Sequence, residues 1–368
     1  MLICVNLRPN FFLEIMNIGM MSLWNAANGP SIHAEFVGRE WVRAGHKLTV
    51  FSAKKHPDAR STLQKDENFV IRHFSVDTIE PFTRATEFDP LPLIEEDYEV
   101  FVAQNFERLP AERLLKIFPE IKKKAATVCV VHEGKPPRDP LYYKFSWDAI
   151  VCFDNRYRSF LIKHFPENTV HIIPYPYYPF TPGDKFKTRK KLGLPLEEKI
   201  VFSFGFRPDD IIPVLPTLRD LHKKYMMRYI VVINPGSNVN ILKEKKNEYP
   251  FLDIQERPLP FDELYMYLHA SDVHLIYRES SKKYPAVLSS TVCQTLGSGC
   301  PILFHESNYV ERAGDEIIKY KDFSDLEQKL SLIFEQGFDT SEIKKFLKTH
   351  DATHIANRFI KLFEKFFP

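Results

Sequence analysis

Short apolar runs alternate with longer stretches in which apolar side chains recur at helical spacing, and this repeats along nearly the whole chain. Strand followed by helix, many times over, predicts an α/β protein with mostly parallel sheets. Asn17–Ser22 is an apolar run that predicts the first strand, and residues 25–31 (NAANGPS) form a glycine-bearing turn. Over 32–44, Phe36, Val37, Trp41 and Val42 fall among Glu35, Arg39, Glu40 and Arg43, which predicts an amphipathic helix. Gly45 stops it, and KLTVFS (47–52) predicts a second strand, completing a βαβ unit. The turn lacks G-x-G-x-x-G, so no dinucleotide fingerprint is present.

The same reading predicts strands over 69–74, 98–103, 126–131, 148–153 and 169–173, with helices over 109–124 and 156–164. Residues 81–92 are proline-rich and read as a surface loop. The sharpest break is PYPYYPFTP (174–182), whose four prolines in nine residues exclude a regular element and mark an interdomain linker. Beyond it, 185–192 reads as a short solvated helix. A second series follows, with strands over 199–204, 228–234, 252–255, 272–276 and 300–304 and a PGSN turn at 235–238. Its helices are expected over 211–225, 240–249, 261–269, 323–335, 341–348 and 352–367. The expected organisation is a domain over 16–176, a domain over 183–351, and a last helix (352–368) returning to the first. Residues 1–15 read as an extension or a misassigned start ahead of Met16. Two such sheets facing each other leave a cleft between their C-terminal edges, where α/β proteins bind ligands.

Composition narrows the function. With 368 residues and 44% hydrophobic content, the chain can fill two cores. A net charge of +2 argues against a dedicated nucleic-acid binder. No apolar run reaches membrane-spanning length, and Glu14 breaks the only leader-like stretch. Five cysteines without a C-x-x-C pair indicate neither a zinc site nor a disulfide framework, which fits the cytoplasm. The Lys and Glu content hints at a thermophile.

Candidate chemistry sits at three strand ends. Ser289, Ser290 and Thr291 open a short helix before Gly297-Ser298-Gly299. A hydroxyl-rich helix start can hold a phosphate through free N–H groups and the helix dipole, although ordinary capping explains the same residues. His132 and Glu133 follow the 126–131 strand, as ligand contacts or as structural groups. Arg207 follows the 199–204 strand, with Asp209 and Asp210 just beyond.

Several strings, in order, resemble glycosyltransferase family 4. NGPSIHAEFVGREWVRAGHKLTVFSA is similar to that family's opening glycine turn, helix and "GHxVTV". SWDAIVCFDNRYRSFLIKHF, VHIIPYP, KTRKKLGLPLEEKIVFSFGF, LPFDELYMYLHASDVHLI and QTLGSGCPIL resemble its later segments. The resemblance covers nearly the whole chain from Met16 and implies the GT-B fold, two facing Rossmann-like domains with an interdomain cleft. It implies a retaining transferase that moves a sugar from a nucleoside-diphosphate donor to a sugar or lipid-linked acceptor, with no metal and no other cofactor. By the resemblance, Gly29 marks the turn approached by donor or acceptor, and His132 the contact to the transferred sugar. Arg207, Ser289, Ser290, Thr291 and Gln294 fall on the donor side, and Asn28, Ser31 and Glu133 on the acceptor side. The family's Glu-x7-Glu motif falls on Ala286 and Gln294, so both carboxylates are replaced, and the expected phosphate-binding lysine after Arg207 is absent. Arg278, Lys282 and Lys283 can supply that charge, or form a solvated surface. A GT-B protein that binds without catalysing transfer is the alternative from a different class, and a GT-B epimerase is a third. Tyr175, Tyr177, Tyr178 and Phe180 offer either a peripheral membrane contact or, as the preferred reading, packing between the domains.

Overall fold

The computed structural model describes residues 15–54, 65–76, 87–205, 207–235 and 239–367. Most of the extension over 1–15, the first half of the 81–92 loop and most of the PGSN turn lie outside the described residues.

The first sheet has seven parallel strands: β1 (Asn17–Ser22), β2 (Lys47–Ala53), β3 (Val70–Phe74), β4 (Val100–Gln104), β5 (Ala126–Val130), β6 (Ala149–Cys152) and β7 (Val170–Ile172). Their spatial order is β3-β2-β1-β4-β5-β6-β7. Six parallel strands make the second sheet: β8 (Lys199–Gly205), β9 (Met227–Ile233), β10 (Leu252–Glu256), β11 (Val273–Ile276), β12 (Ile302–His305) and β13 (Ile318–Tyr320). Their order is β10-β9-β8-β11-β12-β13. Helices cover the faces of each sheet, so the central strands are buried throughout and read as apolar runs. In both sheets the order in which strands are added reverses beside the first strand, between β1 and β4 and between β8 and β11. These switch points are where the C-terminal strand ends leave a crevice.

The linker is a strap. Tyr177 N–H donates to His350 O (3.0 Å), Tyr178 N–H to Cys293 O (2.9 Å) and Thr181 N–H to Gly297 O (2.7 Å). The Tyr178 ring lies between Phe36 of the first domain and Phe261 of the second, at 5.6 and 4.6 Å. Tyr175 is buried, and the Tyr177 ring stands 4.9 Å from that of Phe346. Of these aromatics, Tyr178 crosses between the domains, whereas Tyr175 packs on His33 and Phe153 of the first and Tyr177 on Phe346 of the second. The Ala352–Phe363 helix returns to the first domain, where Phe359 and Phe363 pack on Trp41 and the Trp41 indole N–H donates to Ala356 O (3.2 Å).

Three expectations need correction. The helix expected over 211–225 forms only as Leu215–His222, after 3₁₀ turns: Pro213 falls in the 3₁₀ turn, and Pro216, which has no N–H to donate, is accommodated in the first turn of the helix, where that N–H has no partner. The 185–192 helix forms but is not merely solvated. Arg189 is 2% exposed and donates to Ala270 O, Leu196 O, Glu198 O and Asp272 Oδ2 at 2.6–2.9 Å. The short edge strand β13 was not anticipated; its three residues are too few to show a period. Among the described residues, no helix is long and apolar enough to cross a membrane.

Candidate active site

A cavity of about 680 Å³ opens between the two sheets. The second domain supplies most of its wall: Ser203–Gly205 and Arg207 from the end of β8, Val231–Asn234 from β9, Leu275–Arg278 from β11, and Ser289–Thr291 with Gln294. Gly205 ends β8 at φ 145, a backbone conformation that a side chain rarely adopts, so the strand can turn sharply under the cavity. The first domain contributes Ala26–Asn28 and one face of the Gly29–Arg43 helix: Ile32, Glu35, Phe36, Arg39, Glu40 and Arg43.

Six of the expected residues therefore share one cavity: Asn28, Arg207, Ser289, Ser290, Thr291 and Gln294. Arg207 is more than half exposed, and its Nε lies 3.4 Å from Asp210 Oδ2. Arg278, from the loop after β11, reaches the same oxygen at 3.2 Å and stacks over the Tyr309 ring at 5.1 Å. Burial pushes the Asp210 carboxyl above the usual carboxylate range, against the pull of Arg278 and Arg207. Ser289 caps the Ser290–Thr295 helix by accepting from Val292 N–H (3.4 Å). The Gln294 amide N–H donates back to Ser290 O (3.3 Å). Asn28 caps the facing helix by accepting from Ser31 N–H (3.0 Å).

The remaining expected residues lie elsewhere. Gly29 does not line the cavity. A Cβ there would meet Ser290 Cβ at 3.3 Å, so the bare backbone admits the neighbouring helix start. Ser31 is fully buried; it donates to Glu35 Oε1 (2.8 Å) and accepts from Ala26 N–H (3.0 Å), which fixes the turn and leaves no face for an acceptor. His132 packs edge-on to Phe153 and His33, both at 5.0 Å, and its Nε2 bonds to Gln104 Oε1 (2.9 Å). Burial, together with the nearby His33, holds its basicity well below the ordinary imidazole value. Neither His132 nor Glu133 lines the cavity.

The reason lies at Gly134 and Ala286. Ala286 N–H donates to Gly134 O (3.1 Å), and a Cβ on Gly134 would lie 1.3 Å from Ala286 O. The two domains touch backbone to backbone at the position where the resemblance puts the first carboxylate. Arg156 clamps the same side: it donates to Val287 O (3.1 Å) and Asn308 O (3.0 Å) and pairs with Glu311 (3.0 Å).

The charged face of the Gly29–Arg43 helix was not anticipated as part of the cavity wall. Its signal was present, since Ile32, Glu35, Phe36, Arg39, Glu40 and Arg43 recur at helical spacing. Glu35 is buried, which raises its carboxyl pKa, and it pairs with Arg39 (3.0 Å). Arg39 also reaches Glu67 (2.7 Å). Among the described residues, no group of three or more His, Cys, Asp or Glu side chains is placed to hold a metal ion. Cys129, Cys152, Cys293 and Cys300 are buried free thiols.

No protein-family profile matches the chain. Solved structures do. Sucrose-phosphate synthase from Thermosynechococcus elongatus is 13% identical, with 96% of this chain covering 99% of it at a TM-score of 0.67. A glycosyltransferase from Rickettsia africae is 12% identical over 96% of this chain and 98% of its own, with a TM-score of 0.68. HepE from Anabaena, solved in complex with UDP and glucose, is 13% identical over 95% and 99%, with a TM-score of 0.63. At such identities the likeness concerns the fold, which is GT-B: two facing Rossmann-like domains with the cavity in the cleft between them.

Proposed function

We propose that this chain is a glycosyltransferase that moves a sugar from a nucleoside-diphosphate donor to an acceptor hydroxyl, with retention of configuration. The observation that carries the reading is one cavity wall. Arg207, Arg278 and the Ser289–Thr291 helix start converge at the β8/β11 switch point, faced by Asn28 from the other domain. As the sugar–phosphate bond breaks, negative charge gathers on the leaving diphosphate. Two guanidiniums and a helix start aimed at that charge stabilise it more than they stabilise the bound donor. Apolar lining such as Leu259 and Ile233 suits the face of a base. The acceptor enters along Asn28 and the Glu35–Arg43 face, and closure of the two domains excludes water during transfer. The likeness to HepE, seen with UDP and glucose, supports a nucleoside-diphosphate sugar as donor.

A second reading is a GT-B protein that binds such a ligand without transferring it. It is favoured by Ala286, which stands in place of a carboxylate and is sealed against Gly134. Release of nucleoside diphosphate from UDP-, GDP- and ADP-sugars, with and without simple sugar acceptors, separates the two. A transferase releases diphosphate with at least one donor and loses about a hundredfold in rate on Arg207→Ala. A protein that binds a donor yet releases nothing from any of them is the binding scaffold.

A further inference from the structure

Asp210 is an odd residue to find in a phosphate site. It lines the cavity at the end of the Pro208–Asp210 turn, directly after β8. One of its oxygens, Oδ2, is shared by two arginines from different loops, Arg207 at 3.4 Å and Arg278 at 3.2 Å. Both contacts are long for a charge-assisted bond, which normally falls at about 2.7–2.9 Å. Elsewhere the chain makes tight pairs: Arg189–Asp272 at 2.7 Å, and Arg257 on Glu263 through two nitrogens at 2.5 and 2.9 Å. The Asp210 pairs are loose by that internal standard. The guanidinium of Arg278 is also incompletely satisfied where it stands, because its buried Nε has no hydrogen-bond partner among the described residues. The guanidinium is meanwhile held in place by the Tyr309 ring.

A group with more acceptor oxygens than one carboxylate corner would satisfy these donors better. A diphosphate is such a group, and fork-shaped guanidiniums suit it. We propose that Asp210 competes with the donor's diphosphate for Arg207 and Arg278: carboxylate and diphosphate are alternative occupants of the same two guanidiniums. Asp210 thereby sets the affinity of the site, weakening the grip on nucleoside diphosphate and easing product release. This rests on the donor-site reading above. The rise in the Asp210 carboxyl pKa from burial agrees with an anion held where the arginines only partly offset its desolvation.

The opposing idea is that Asp210 merely positions the arginines, and the two ideas predict opposite signs for one substitution. Asp210→Asn keeps the shape and removes the charge. Titration calorimetry with inorganic pyrophosphate is expected to show binding to Asp210→Asn about tenfold tighter than to the unaltered protein. Arg278→Ala is expected to bind more weakly than either. Equal or weaker binding by Asp210→Asn overturns the proposal. UDP, GDP and ADP are titrated alongside. If pyrophosphate tightens as expected but no nucleoside diphosphate binds better than pyrophosphate, competition stands and the nucleotide reading falls. A crystal structure of the unaltered protein with pyrophosphate decides the matter if the variant does not fold. Pyrophosphate on both guanidiniums with the Asp210 carboxylate out of contact supports the proposal. Both Asp210 contacts intact beside a bound pyrophosphate overturns it.

Discussion

Gly134→Ala tests how the cleft is held shut. The new Cβ would lie 1.3 Å from Ala286 O and 2.5 Å from its carbonyl carbon, both backbone atoms that no rotamer can move aside. Gly134 is outside the left-handed region, so alanine brings a clash and no backbone strain. Restoring an ordinary contact of about 3.4 Å requires the domains to part locally by about 2 Å. A shift of that size breaks the Ala286 N–H to Gly134 O bond and the adjacent Arg156 to Val287 O bond, both 3.1 Å now. A neutral backbone bond contributes about 1 kcal/mol and a charge-assisted one about 1.5–3, so the loss is about 2.5–4 kcal/mol. For a domain of this size each kcal/mol lowers the midpoint by about 2–4 °C. Scanning calorimetry is therefore expected to show the first transition lowered by about 5–15 °C. Small-angle scattering should show a larger radius of gyration. On the proposed transferase reading, nucleoside-diphosphate binding should persist while turnover falls, because the second domain supplies Arg207, Arg278 and Ser289–Thr291. A variant with the same melting profile and the same radius would refute the claim that this backbone contact closes the cleft.

Two further outcomes follow from buried groups. Arg189→Leu leaves Asp272 with only Lys185 and Ile200 N–H and deprives the Ala270, Leu196 and Glu198 carbonyls of their donor, and should cost about 3–5 kcal/mol in denaturant unfolding; a loss below about 1 kcal/mol would contradict the buried pairing. His274 is fully enclosed, stacked on Phe204, and neither ring nitrogen has a partner among the described residues. Burial lowers its pKa from 6.5 to about 3, as it does for His33. The unfolded chain therefore takes up protons below about pH 6.5 that the folded chain refuses, so stability falls as pH drops from that point towards 3. His274→Phe removes one such group, and between pH 7 and pH 5 it should lose about 2 kcal/mol less than the unaltered protein. Equal losses would place His274 in contact with water.

Much of the architecture could be read from local chemistry. Apolar runs bounded by Gly45, Gly297 and Gly299 locate strands and helix ends, and the prolines of 174–182 locate the crossing between domains. What escaped was set by distant partners. Arg189 looks like one of many basic residues in KFKTRKKL, and only the carbonyls of Leu196, Glu198 and Ala270 make it a buried hub. The Gly134–Ala286 contact is made by backbone across more than a hundred positions of chain, so no side-chain pattern announces it. His132 stood at the right strand end, yet its ring was claimed by Gln104 and an aromatic cluster. That Arg207, Ser290 and Gln294 share one cavity could be read ahead of the structure because strand ends and helix starts are local features, which the sheet topology brings together.

If the cleft grips a nucleoside diphosphate through Arg207 as proposed, titration calorimetry of UDP, GDP and ADP against the unaltered protein and Arg207→Ala will register it. At least one nucleotide should bind in the micromolar range and weaken about tenfold or more without the guanidinium. Absence of binding by all three, or an affinity indifferent to Arg207, would contradict it.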